Sequence, residues 1–97
     1  MLFRSEAADT LAADGRARPL TVVCDVTEDD QVQRLVDTAT AEHGGVDVMV
    51  NNAGLGGTVD LVDMTDDQWL RILDTNLTGT FRCMRAALPV MKARAAA

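Results

Sequence analysis

The stretch that most constrains this chain is Val46-Asp47-Val48-Met49-Val50-Asn51-Asn52-Ala53-Gly54, an apolar run that ends abruptly on two amides, an alanine and a glycine. β-Branched residues bounded by Gly44-Gly45 and by Asn-Asn-Ala-Gly read as a buried parallel strand over residues 46–50 with a polar turn at its carboxyl end. In open α/β sheets, that edge is where ligands bind.

The flanking sequence alternates in kind. Residues 5–14 place Ala7, Ala8, Leu11 and Ala12 at helical spacing and stop at Gly15, a C-cap signal. Pro19 then releases the chain into a second buried strand over residues 20–24, closed by Asp25. Thr27 followed by three acids opens a helix, with Thr27 as N-cap and the acids at the positive end of the helix dipole. Val32, Leu35, Val36, Ala39 and His43 form its buried face, and Gly44-Gly45 ends it. After a polar loop from Asn51 to Met64, Thr65-Asp66-Asp67-Gln68 is a capping box that starts a long helix. Its stripe runs through Trp69, Ile72, Leu73, Asn76, Leu77, Thr80, Phe81, Met84, Leu88 and Met91. Gly79 and Pro89 interrupt it, and Pro89 is expected to kink or end the helix near its final turns. Helix, strand, helix, strand, helix implies a parallel sheet with covering helices.

Composition narrows the function. Ninety-seven residues make at most one small domain, near the lower limit for a self-sufficient core. A net charge of −6 argues against nucleic-acid or anionic-membrane partners. No apolar run approaches the roughly 20 residues that span a bilayer. Cys24 and Cys83 fit two small buried thiols in a reduced, cytoplasmic setting rather than a disulfide scaffold.

Three features invite chemistry. His43 invites a catalytic reading as a histidine, but as a last-turn residue it also suits the negative end of its helix. Gly54-Leu55-Gly56-Gly57 suggests a phosphate loop, yet the position of the third fingerprint glycine holds Val59 and the next helix starts later, so the segment reads as a loop beside a cleft. Asn76 is an amide on an apolar stripe. Either it ties the helix to a neighbouring loop or strand, or it holds a water or catalytic group near the sheet end; the two roles are compatible.

Asp25-Val26, then Asn51-Asn52-Ala53-Gly54 after an apolar strand, then Asn76-Leu77-Thr78-Gly79-Thr80-Phe81 inside a long helix, resemble in order and spacing the middle section of a short-chain dehydrogenase/reductase. The resemblance covers almost the whole chain. It implies an α/β fold, a partial Rossmann-like doubly wound parallel sheet in which residues 1–97 form a single partial dinucleotide-binding domain. The cofactor implied is NAD or NADP. Asp25 would bond the adenine amino group and the Val26 backbone would meet the adenine ring. Asn52, Ala53 and Gly54 would line the cofactor, and Asn76 would be the asparagine of an Asn-Ser-Tyr-Lys catalytic tetrad, on a kinked helix whose carbonyl holds a relay water. The same resemblance implies a small-molecule carbonyl or alcohol substrate, a 3-oxoacyl thioester among the candidates, and a homo-oligomer formed through the helix at 66–92, with Trp69, Phe81, Met84 and Met91 facing either partner or core.

The family's T-G-x-x-x-G-x-G turn is expected before residue 1, and its catalytic Ser and Tyr-x-x-x-Lys beyond residue 97. These residues contain no tyrosine, and Lys92, the only lysine, reads as a solvated helix-end charge. The chain is thus expected to be a central fragment, inactive alone, with a truncated self-association module as the alternative reading. Arg4 reads either as a surface charge, the commoner role for such a residue, or as a contact to a 2′-phosphate, which would be read near that place. In the family's 3-2-1-4 strand order, the strands at 20–24 and 46–50 stand about 14 Å apart with two strands between them. An isolated chain is then expected to fold poorly, re-pair its strands, or associate.

Overall fold

In a computed structural model, residues 4–13, 15–57 and 59–96 are described; the side chains of residues 4 and 5, and with them the reading of Arg4 as a 2′-phosphate contact, lie outside that description. The helices are α1 (Arg4–Ala12), α2 (Asp29–His43), α3 (Asp66–Leu73) and α4 (Gly79–Ala96), with a short 3-10 turn at Leu61–Asp63. A π turn, Asp74–Thr78, joins α3 to α4.

Local signals account for most helix ends. Gly15 and Gly44 adopt left-handed φ values of 79° and 81°, and the Gly44 N–H donates to the Thr40 carbonyl at 2.8 Å. The capping box at α3 is complete: the Gln68 N–H donates to Thr65 Oγ1 at 3.2 Å and the Thr65 N–H to Gln68 Oε1 at 2.9 Å. At α2 the expectation fails. Its N-cap is Glu28, without a side-chain bond, because the Thr27 hydroxyl donates instead to Asp25 Oδ1 at 2.8 Å. Pro89 does not end α4, which continues to Ala96; the long helix is interrupted at the π turn instead.

The core is small. Val32 and Val36 of α2 are each 1% exposed, and Cys83 and Ala87 of α4 are 5% and 1% exposed where those helices pack together, with Ala8 of α1 also buried. An accessible surface of 7266 Å² compares with about 5400 Å² for a compact monomer of 10.4 kDa.

Neither expected strand is paired among the described residues. Residues 20–24 and 46–50 lie outside the helices, and none of them stands in a strand. A strand exists only by its ladder, and the family order puts two further strands between these segments. Direct re-pairing is not observed. The expectation of burial on both faces also fails: Val48 and Val50 are 78% and 77% exposed, whereas Val22, Cys24 and Met49 are half-buried. The long stripe is likewise no core. Trp69, Leu77, Phe81, Met84 and Leu88 are 45% to 66% exposed.

Side chains partly replace the missing ladder. Arg34 Nη2 donates to the Val23 carbonyl at 3.0 Å, and the Asp25 N–H donates to Gln31 Oε1 at 2.8 Å. At the other segment Arg94 pairs with Asp47 at 2.9 Å and donates to the His43 carbonyl at 3.2 Å. His43 itself is exposed at the end of α2.

Gly79 fixes how closely α4 approaches the end of the first extended segment. A Cβ there would lie 2.7 Å from Val26 Cγ2 and 3.1 Å from Val26 Cβ, and a β-branched side chain has little freedom to yield. Gly79→Ala is expected to lose about 1–2 kcal/mol despite its better helix propensity, read as a lower urea midpoint, with Val26→Ala in the same chain recovering most of the loss. The urea transition of the unsubstituted chain, followed by far-UV circular dichroism, is expected to be shallow, with a slope below about 1 kcal/mol/M; a steep monomeric transition contradicts the small core.

Candidate functional site

The polar ends of the two extended segments meet the middle of the α3–α4 rod. Asp25 lies on the floor of an open cleft of about 700 Å³, shared with Thr27, Leu55, Arg71, Asp74 and Thr75. Val26, Asn52 and Ala53 line an adjoining cavity of about 190 Å³ together with Thr75 and Gly79. Gly54 packs against Asn76, where an added Cβ would come within 3.2 Å of Oδ1.

Asp25 is organised by its own turn. Its Oδ1 accepts from the Thr27 N–H at 2.9 Å and from the Thr27 hydroxyl at 2.8 Å, while Oδ2 accepts no hydrogen bond from the described residues. Those two Thr27 bonds hold the carboxyl below its ordinary value, with help from the more distant Arg71 and Arg82 charges. At neutral pH the cleft therefore presents an ionised acceptor.

Asn76 sits in the π turn, where the Gly79 N–H reaches back five residues to the Asp74 carbonyl. Its amide closes a two-way clasp on the glycine loop: the Leu55 N–H donates to Oδ1 at 2.6 Å, and Nδ2 donates to the Leu55 carbonyl at 2.9 Å. Of the two roles open to Asn76, tying helix to loop is the one seen, and the residue is exposed rather than sunk in a core. The Thr80 hydroxyl lies 3.5 Å from the Asn76 carbonyl, a long contact.

The sequence reading missed Arg82. Its side chain, 15% exposed, bonds the Asp74 carboxylate at 2.6 Å and donates to the Val26 and Asp74 carbonyls at 3.2 and 3.3 Å. The available signal was a cation set between Gly79 and Cys83 on the helix face that packs inward. Arg71 and Thr75, one turn apart on the cleft wall, were also missed.

The arrangement offers an ionised carboxylate acceptor beside an open cleft of about 700 Å³, with the small Ala53 and Gly54 following Asn52. The described residues form no group of metal-ligating side chains, and none of their helices is long and apolar enough to cross a membrane.

Residues 3–97 match the family model described as Enoyl-(Acyl carrier protein) reductase. The chain is 55% identical over 83 residues to the (5R,7aS)-5-hydroxy-7a-methyl-1-oxo-2,3,5,6,7,7a-hexahydro-1H-indene-carboxyl-CoA reductase of Mycobacterium tuberculosis (strain ATCC 25618 / H37Rv), covering 86% of this chain and 32% of the relative. It is 37% identical over 86 residues to an uncharacterised NAD-dependent oxidoreductase of M. tuberculosis (strain CDC 1551 / Oshkosh), covering 89% and 31%. The crystal structure of a short-chain type dehydrogenase/reductase from Mycobacterium marinum superposes with a TM-score of 0.87 at 39% identity, over 93% of this chain and 36% of that one. The chain thus spans about a third of the length of these relatives. Motif order, the site at the segment ends, the family match and this structural likeness agree: the chain belongs to the short-chain dehydrogenase/reductase family.

Proposed function

We propose that these residues are the adenine-side wall and helix interface of an NAD(P)-dependent oxidoreductase that moves a hydride between the nicotinamide cofactor and a ketone or secondary alcohol. The observation that carries this reading is that Asp25, Val26, Asn52 and Ala53 line two adjoining clefts, with Gly54 packed against Asn76. When bound, the cofactor supplies the hydride-carrying ring. The chain's own residues bind and orient. Asp25 Oδ2 accepts from the adenine amino group, the Val26 backbone borders the base, and Asn52, Ala53 and Gly54 let the dinucleotide lie close to the segment end. Asn76 fixes the glycine loop and belongs, by family, to the proton-relay tetrad. No tyrosine stands among the 97 residues to act as general acid. An acyl thioester is the substrate class we favour, because the matching family model and the reductase relative carry acyl-carrier-protein and CoA names.

Nuclear magnetic resonance titration with ADP-ribose tests the binding half. Shifts are expected at Asp25, Val26 and Asn52, and Asp25→Asn is expected to weaken binding about tenfold, the loss of one charge-assisted bond. Shifts confined to other residues contradict the reading. The lowered Asp25 carboxyl fixes the sign of the pH response. Stabilisation of the Asp25–Thr27 turn is complete above the unfolded-state value and is lost as pH falls through the lower native one. The Thr27 amide is therefore expected to titrate with a midpoint below 3.8, the ordinary value. NADH or NADPH oxidation by the 97 residues alone is expected to be nil, and measurable turnover contradicts the role assigned to the missing tyrosine.

The alternative, a non-catalytic self-association module, is favoured by one observation, the exposed apolar stripe of Trp69, Leu77, Phe81, Met84 and Leu88. Flanking coding sequence discriminates the two: T-G-x-x-x-G-x-G upstream and Tyr-x-x-x-Lys downstream support the enzyme. Both readings expect a homo-oligomer through residues 66–92. Leu77→Asp with Phe81→Asp is expected to shift the sedimenting species to monomer, and an unchanged sedimentation coefficient argues against that surface.

A further inference from the structure

Arg82 bridges two parts of the site, the end of the segment at Val26 and the π turn at Asp74. On one side its Nη1 donates to the Val26 carbonyl at 3.2 Å, directly behind the Asp25-Val26 edge of the cleft. On the other it holds the π turn twice, through the Asp74 carbonyl at 3.3 Å and the Asp74 carboxylate at 2.6 Å. Asp29 also approaches it, with Oδ1 3.6 Å from Nε and shared with Arg85 at 2.7 Å, and the Arg82 charge reaches the Asp25 carboxyl from further off.

The Asp74 carbonyl is the acceptor that defines the π turn, taking the Gly79 N–H five residues on. In a regular α-helix it would take the Thr78 N–H instead, and removing the extra residue of the turn would rotate everything on one side by about 100° relative to the other. Asn76 would then no longer aim at Leu55. A second donor on that carbonyl, from a half-buried guanidinium also anchored on the adjoining carboxylate, favours the π register over the α register.

We propose that Arg82 is a positioning residue that couples the Asp25-Val26 edge of the cleft to the Asn76–Leu55 clasp by holding the π turn. One cation thereby sets the spacing between the adenine end of the site and the glycine loop that follows Asn52-Ala53-Gly54. The functional meaning of that spacing rests on the dinucleotide reading; the mechanical coupling does not. Lysine cannot substitute, since one ammonium lacks the planar fork that reaches two carbonyls and a carboxylate together.

Native-state hydrogen exchange of the 97-residue chain tests this, with the Leu55 amide as reporter and the buried Val36 amide of α2 as reference. In Arg82→Met the Leu55 amide is expected to exchange on the order of tenfold faster while Val36 changes less than about twofold. Arg82→Lys, the milder change, is expected to raise the Leu55-to-Val36 ratio in the same direction. Asp74→Asn keeps an acceptor and is expected to leave the ratio within about threefold of the original. Equal acceleration of both amides means that Arg82 merely stabilises the fold, and it overturns the proposal. So does an unchanged Leu55 rate, or a Leu55 amide unprotected in the unsubstituted chain. ADP-ribose gives a second arm: it is expected to slow Leu55 exchange in the original chain and not in Arg82→Lys. Failure of ADP-ribose to bind the original chain counts against the dinucleotide reading alone, because the exchange ratios still decide the positioning role.

Discussion

The close approach of Gly79 to Val26 is the constraint on which the rest of the arrangement depends. With no side chain at that point, α4 can lie directly on the end of the first extended segment. That contact brings Arg82 within reach of the Val26 carbonyl. It also puts Cys83 and Ala87 of α4 into the small core they share with Val32 and Val36. A methyl group at Gly79 would push apart the helix, the segment end and the cleft between them.

A second regularity is that irregular backbone here is bonded by side chains. Gln31 and Arg34 of α2 serve Asp25 and Val23, Arg82 serves Val26, and Asn76 serves both backbone groups of Leu55. In a complete sheet most of such bonds would be ladder bonds, formed between backbones with no dependence on residue type. At the segment ends, where a sheet must open to admit a ligand, residue identity takes over. This is a physical reason for motif residues to concentrate at those ends.

Much of this was legible in the sequence. The helical periods, the Thr65–Gln68 capping box and the glycine stops at Gly15 and Gly44 are local signals, and local hydrogen bonds realise them. The motif residues Asp25, Val26, Asn52 and Ala53 line two adjoining clefts, and Gly54 packs against Asn76. What was not legible depended on competition or on distant partners. Thr27 looked like an N-cap, but Asp25 two residues earlier captured its hydroxyl. Pro89 looked like a helix terminator, whereas the break came at Asp74–Thr78, where no residue type announces a π turn. The apolar runs at 20–24 and 46–50 record what a strand buries in a full sheet, not whether its neighbours are present, so burial was over-read at Val48 and Val50. Arg82 was invisible because its three acceptors lie on two separate stretches of chain.

The exposed Val48 and Val50, in a segment 46–50 that stands in no strand, have a colloidal consequence. Such edges are templates for intermolecular strand addition, and natural proteins guard them with charge, proline or cover. Asp47 is the one charge within residues 46–50, and it is engaged with Arg94. Mutual repulsion between molecules of net charge −6 is then the main barrier to edge-to-edge growth. That barrier weakens as salt shortens the Debye length, and it vanishes as pH nears the isoelectric point of about 4.4. Handling conditions, more than the sequence of any single segment, therefore govern whether these residues stay dispersed.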